Sequence, residues 1–279
     1  MPPPALVLGA IVSTQVGAAA GTTLFEEVGP AGACLLRIAA AALVMAAIVR
    51  PRFGRHPRET LLVVAAFGVA LGVMNLSFYE ALDRLPLGIA VTVEFVGPLA
   101  VAIVGSRRPL DLLWVVLAGG GIVLLANPGG AETIDGVGLA FALAAGGGWA
   151  AYIVLAGRVG ARVPGAEGVA LAMAIGTLVP LVPGVAEAGG TLLRPEVLAV
   201  GAAAGVLSSA IPYTLETEAL RRMPRHVFSV LLSIEPAVAA LVGFVALGQP
   251  LVAREIVAIV LVVAASAGAL SHLDAPPET

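Results

Sequence analysis

Lysine is absent from this chain, and charge of any kind is scarce: 12% of its 279 residues are charged, where a soluble domain carries about 25%. A soluble surface cannot be built from such a composition, and the 59% of hydrophobic residues points to a membrane as solvent. Cysteine is nearly absent too. The single Cys34 excludes an internal disulfide or a multi-cysteine metal site and reads as a small packing residue. Three histidines, His56, His226 and His272, all fall beside hydrophilic breaks, so neither a metal centre nor Ser-His chemistry has a constellation at membrane depth. No metal, no cofactor and no nucleic-acid partner are expected, and the net charge of -3 carries no information about partners. Alternating segments of about ten residues, the mark of a membrane β-barrel, are also missing.

What the chain does have is apolar runs of about 20 residues, the length of a helix that crosses a bilayer. Charged, Pro-rich and Gly-rich breaks divide it into runs at 5–24, 31–49, 60–81, 86–105 and 110–126, then 137–157, 165–184, 196–218, 224–247 and 251–271. Ten transmembrane helices are expected. The opening MPPPALVLGAIVSTQVGAAAG lacks the basic flank of a signal peptide and reads as the first membrane helix.

Arginine sets the orientation. Arg50, Arg52, Arg55, Arg58, Arg107, Arg108, Arg158, Arg162, Arg221, Arg222 and Arg225 follow the even-numbered runs two to eight, against Arg84, Arg194 and Arg254 on the other side. The positive-inside rule places the first group, and with it both termini, in the cytoplasm. Glu26, Glu27, Glu132 and Asp135 then face outward.

A shift of 138 residues lays EALDRLP (80–86) over EALRRMP (218–224) and Pro98 over Pro236. Two related halves follow, 1–130 and 131–279. With five spans in each, the second half enters the membrane in the opposite sense. The expected fold is all-α, ten helices in an inverted repeat, an architecture that secondary transporters use to expose a midplane site to each side in turn.

Ionisable residues inside spans cost about 2.5 to 3.5 kcal/mol on insertion scales, so those retained face the bundle interior and mark function. Glu94 and Glu235 lie near the middle of spans four and nine. Each is close to a proline, Pro98 or Pro236, which leaves the carbonyl four residues earlier without its helical donor. Span eight carries Ser208, Ser209, Pro212, Tyr213 and Glu216 on one helical face; span three carries Gly68, Gly72, Asn75 and Tyr79; span six carries Phe141, Ala145, Gly148, Trp149 and Tyr152. These faces read as cavity walls. The glycines, in GxxxG pairs such as Gly68/Gly72, read as close helix packing. Arg37 in span two, with Ser13 and Gln15 in span one, completes the buried polar set. Glu80 and Glu218 each precede an arginine by four residues, Arg84 and Arg222, and read as interfacial ion pairs.

At these residues the sequence resembles the drug/metabolite transporter superfamily of EamA type, and within it the inner-membrane threonine/homoserine exporters. The resemblance runs nearly end to end. It is carried by PLGIAVTVEFVGPLAVAIVGSRRPLDLLWVVLA (86–118) and LSSAIPYTLETEALRRMPRHVFSVLLSIEPAVAALVG (207–243), with STQVGAA, CLLRIA and WAAYIV in support. It implies a cavity between the halves and proton-driven efflux of small metabolites, amino acids among them. By position the pattern matches at Arg37, Asn75, Tyr79, Glu94, Trp149, Tyr152, Pro212, Tyr213, Glu216, Glu235 and Pro236.

The expected function is therefore export of a small amino acid, with protons and the lipid bilayer as the other partners. A zwitterion needs a carboxylate for its ammonium, Glu94 or Glu235, and a donor for its carboxylate: Arg37, Asn75 or a tyrosine. One of the two glutamates would also carry the proton. Export of hydrophobic drugs or another small metabolite is the alternative, and an enzyme is not expected.

Overall fold

The computed structural model describes residues 1–51, 56–104, 111–126, 135–163 and 166–270, without the side chains of Asp111, Ala126, Tyr213, Thr217, Leu220, Arg225, His226 and Leu270. The boundary between the two expected halves, Arg52, Arg55, Arg107, Arg108, Glu132 and His272 lie outside the described residues. Helix accounts for nearly all of what is described, and no strand occurs among the described residues.

The helices are α1 (Pro3–Thr22), α2 (Phe25–Val49), α3 (Arg58–Leu82), α4 (Leu87–Glu94), α5 (Val96–Val104), α6 (Asp111–Ala126) and α7 (Gly136–Gly160). They continue as α8 (Glu167–Gly176), α9 (Leu178–Ala188), α10 (Pro195–Gly205), α11 (Ile211–Leu220), α12 (Arg225–Leu232), α13 (Glu235–Leu247) and α14 (Ala253–Leu270). Eight continuous or broken segments are long and apolar enough to cross a membrane, among them Leu87–Val104, Glu167–Leu193, Pro195–Glu216 and Val227–Leu247. α6 holds a shorter apolar stretch, Leu112–Leu125, and packs along α14. Asp135 opens α7 by accepting hydrogen bonds from the backbone N–H groups of Val137 and Gly138 at 2.7 and 3.1 Å. Those bonds, the one from Gly138 foremost, hold its carboxyl below the usual aspartate range.

The sequence treats spans four, seven, eight and nine as single helices; the structure breaks each of them, and proline is the common cause. Pro98 cannot donate to the carbonyl of Glu94, and the chain leaves α4 at Glu94 to restart as α5 at Val96. Pro236 likewise fails the carbonyl of Leu232, where α12 ends before α13 begins at Glu235. Pro180 fails Gly176 at the junction of α8 and α9, and Pro212 fails Ser208, where a π-helical turn, Val206–Ala210, joins α10 to α11. α2 starts six residues earlier than the expected span, at Phe25, and passes through a non-helical Gly29 at φ 68°, ψ 170° just before Pro30. Only glycine adopts that conformation without strain. Beyond the kink, the N–H of Ala31 donates to Glu187 at 3.0 Å, a carboxylate from the end of α9 standing in for the lost helical acceptor.

The apolar core is unequal at the two ends. Toward the end that carries Arg84, Arg194 and Asp135, one continuous cluster joins Ala18, Leu24, Val28, Leu35, Phe78, Leu82, Val91, Ala145, Val197 and Val242. Toward the other end it divides. Val64, Phe67, Val159 and Leu171 unite α3, α7 and α8, while Leu6, Val7, Ile11, Ala219 and Phe228 unite α1, α11 and α12. Leu99, Ala118 and Ala265 hold α5, α6 and α14. Close helix approach supports the first of these bodies: a Cβ on Gly72 would sit 2.5 Å from the carbonyl oxygen of Gly176, so the Gly68/Gly72 face of α3 is a packing face against α8 and not a cavity wall.

Candidate functional site

Between the divided bodies lies a cavity of about 390 Å³, at the small end of the roughly 300–1,000 Å³ usual for small-molecule sites. Eight of the ten side chains anticipated as a substrate site line it: Gln15, Arg37, Asn75, Glu94, Trp149, Tyr152, Glu216 and Glu235. Ser208, Ser209 and Pro212 from the span-eight face do so as well. The side chain of Tyr213 lies outside the described residues.

Tyr79 does not line the cavity. It is wholly buried in the continuous cluster beyond the cavity floor, its ring 5.7 Å from Phe25 and 6.3 Å from Phe78. The guanidinium of Arg37 lies over that ring at 4.9 Å, a cation–π contact that fixes the arginine from below. Tyr79 thus touches the site only through Arg37.

Arg37 itself neither snorkels out nor pairs with a carboxylate. Only 8% exposed, it donates to Ser208 Oγ at 3.1 Å and to Asn75 Oδ1, while Asn75 donates onward to the carbonyl of Leu71 at 2.8 Å. Among the described residues it forms no ion pair, and its Nε has no hydrogen-bond partner. Arg37 is thus a buried charge held by neutral groups, with one donor unused.

The carboxylates come from three broken helices. Glu235 is the first residue of α13 and accepts a hydrogen bond from Gln15 Nε2 of α1 at 2.9 Å; the Oε1 of Gln15 is left without a partner. Glu94 is the last residue of α4. Its backbone carbonyl, expected to be free for a cation or donor, packs instead on α7, where a Cβ at Gly146 would lie 2.8 Å away. Glu216 projects from α11 beyond the π-turn. The aromatic wall is braced from behind, Trp149 edge-on to Phe95 at 5.1 Å and Tyr152 against Phe67 at 4.9 Å. No group of three His, Cys, Asp or Glu side chains able to hold a metal ion occurs among the described residues.

The remaining polar expectations resolve locally. Ser13 donates to the carbonyl of Leu207 at 2.6 Å and ties α1 to the π-turn. Glu218 pairs with Arg222 as its spacing predicts, but Glu80 forms no ion pair with Arg84 among the described residues; the Arg84 guanidinium lies 5.9 Å over Phe141. Thr14, Met74, Phe78 and Met173 also line the cavity without being singled out by the sequence, because an apolar side chain in an apolar run gives no signal and Thr14 shares no polar stripe. A second hollow of about 440 Å³ between α5 and α7 is walled only by residues such as Ala100, Val101, Ala150 and Val154 and has no group to recognise a polar solute.

The model of the EamA-like transporter family matches residues 136–271. The threonine/homoserine exporter RhtA of Salmonella typhimurium (strain LT2) is 40% identical over 274 residues, 98% of this chain and 92% of the relative. That of Escherichia coli (strain K12) is 41% identical over 267 residues, 95% of this chain and 90% of the relative. A protein of known crystal structure, 20% identical, superposes with a TM-score of 0.65 over 98% of this chain and 99% of its own, a likeness of fold.

Proposed function

The chain belongs to the EamA-like transporter family, and from that premise we propose that it exports threonine, homoserine or closely similar small amino acids across the inner membrane. The observation that carries this reading is the cavity's complementary pair of unused groups. Arg37 offers an unpaired guanidinium N–H, and the linked Gln15 and Glu235 offer acceptors, the two halves of what a zwitterion requires. Near full-length relatives that are exporters, not enzymes, agree with it.

The finer reading has ten spans in two inverted five-helix halves, 1–130 and 131–279, with both termini cytoplasmic. In its support, the breaks at Phe95 and at Ser233–Ile234 fall at equivalent places under the 138-residue shift, and the family model covers the second half alone. The divided end of the core carries Arg58, Arg158, Arg162, Arg221 and Arg222, so by the positive-inside rule this conformation opens to the cytoplasm and is sealed outward. Rocking of the two bodies about the cavity, with a proton moving inward as the amino acid moves out, completes the cycle.

Export of hydrophobic drugs draws support from the Phe78, Trp149, Tyr152 and Met173 wall. It gives no role to a buried arginine and three carboxylates, whose retention in apolar surroundings is costly. Growth separates the two readings. Overexpression in a host lacking its own exporters is expected to relieve inhibition by excess threonine or homoserine and leave tolerance to hydrophobic drugs unchanged; the reverse pattern would establish drug export.

A further inference from the structure

Three carboxylates share a cavity with a cargo that carries one ammonium, so their labour must be divided. Resting on the amino-acid export reading, we propose that Gln15 and Glu235 form the ammonium subsite, while Glu94 carries the proton and makes no contact on which substrate affinity depends.

The two glutamates stand in opposite surroundings. Glu235 is held: Gln15 Nε2 donates to its Oε1 at 2.9 Å. As the first residue of α13 it also sits at the positive end of the helix dipole, which favours a carboxylate. The same hydrogen bond orients Gln15 so that its own Oε1, buried and unpartnered, lies beside Glu235. An ammonium group has three donors; the free oxygen of Glu235 and Gln15 Oε1 supply two acceptors from two different helices. A glutamine in this place is not explained by helix packing, which would leave no acceptor unused.

Glu94 has none of this. It closes α4, and its carboxylate accepts no hydrogen bond among the described residues. It faces the cavity within electrostatic reach of Glu235 and Arg37. A proton carrier must lose and regain its proton each cycle without releasing a structural partner, and of the two mid-membrane glutamates only Glu94 is so placed. In the cycle, the proton binds Glu94 from the outer side after the amino acid leaves, and passes to the cytoplasm before the next one binds. The inverted repeat does not impose this arrangement, since the 138-residue shift sets Glu94 on Leu232 and Glu235 on Gly97.

The test is purified protein in proteoliposomes with labelled threonine, read in two ways: counterflow against unlabelled threonine with no pH gradient, and net movement driven by a pH gradient. Glu94→Gln is expected to keep at least about a third of wild-type counterflow but lose gradient-driven transport about tenfold or more. Glu235→Gln and Gln15→Ala are expected to lose counterflow about tenfold, with Glu235→Asp intermediate; size-exclusion profiles matching wild type show that they are folded. The proposal is overturned if Glu94→Gln still accumulates threonine against the gradient, or if it abolishes counterflow while Glu235→Gln retains it. Wild-type protein that exchanges neither threonine nor homoserine overturns the export reading itself, a result distinct from either of these.

Discussion

Arg37 shows what a single residue can and cannot reveal. A guanidinium within an apolar run has no inexpensive place to go, so its importance was legible, as was that of Glu94, Glu216 and Glu235. Its partners were not, because Asn75, Ser208 and the ring of Tyr79 come from helices that only the fold brings together. Tyr79 misleads for the same reason. It shares the helical stripe of Asn75, yet one further turn carries it past the cavity floor into the core. Two substitutions follow from these contacts. Arg37→Gln should raise the KM for threonine about 10- to 100-fold, the equivalent of losing a charged hydrogen bond of about 1.5–3 kcal/mol, measured as initial transport rates against concentration. Tyr79→Phe should transport within about twofold of wild type, since the hydroxyl has no partner among the described residues, whereas Tyr79→Leu, which removes the ring beneath Arg37, should raise KM by several-fold. Equal effects of the two would mean that the ring face does not position the arginine.

Among the elements, hydrophobic runs gave the helices and proline gave the places where they fail. The sequence could not say what a freed carbonyl would do. That of Glu94 packs on Gly146, and Pro212 produces a π-turn that sets Ser208 and Ser209 on the cavity wall. The most local of these devices is the start of α2, which sequence placed after Gly29–Pro30 because that pair reads as a helix break. Glu187, beyond the apolar run of span seven, supplies the acceptor that allows a helical turn, Phe25–Val28, to precede the kink. Gly29→Ala forces a side chain into a backbone conformation reserved for glycine and toward the Glu187 carboxylate. It should destabilise the protein by about 1–3 kcal/mol, visible as a lowered Tm in detergent. An unchanged Tm would mean that the kink is not rigidly held.

At the scale of the whole molecule, the unequal core describes one conformational state. One end is a single cluster and the other is divided, an arrangement that no pattern of apolar residues discloses, because the pattern marks which helix faces are apolar and not which of them meet. The only cysteine offers a natural reporter. Cys34 is fully buried one helical turn from Arg37 toward the start of α2, the end that the proposed orientation sets outside, on the face that carries Ile38 and Ala41 to the cavity. A membrane-impermeant thiol reagent added from outside should therefore react slowly with resting protein, and faster with Phe25→Ala, which removes the ring closing over Tyr79. Identical rates would place the outward seal elsewhere.

The central claim is that a small amino acid leaves the cell through the Arg37–Glu235 cavity. It is tested most directly by efflux from exporter-deficient cells loaded with a threonine-containing dipeptide, expressing wild-type protein, Arg37→Gln or Glu235→Gln at equal membrane abundance. The account predicts rapid appearance of threonine in the medium with wild type and a rate near the empty-vector control with either variant. Wild-type efflux no faster than the control, or both variants as fast as wild type, would contradict it.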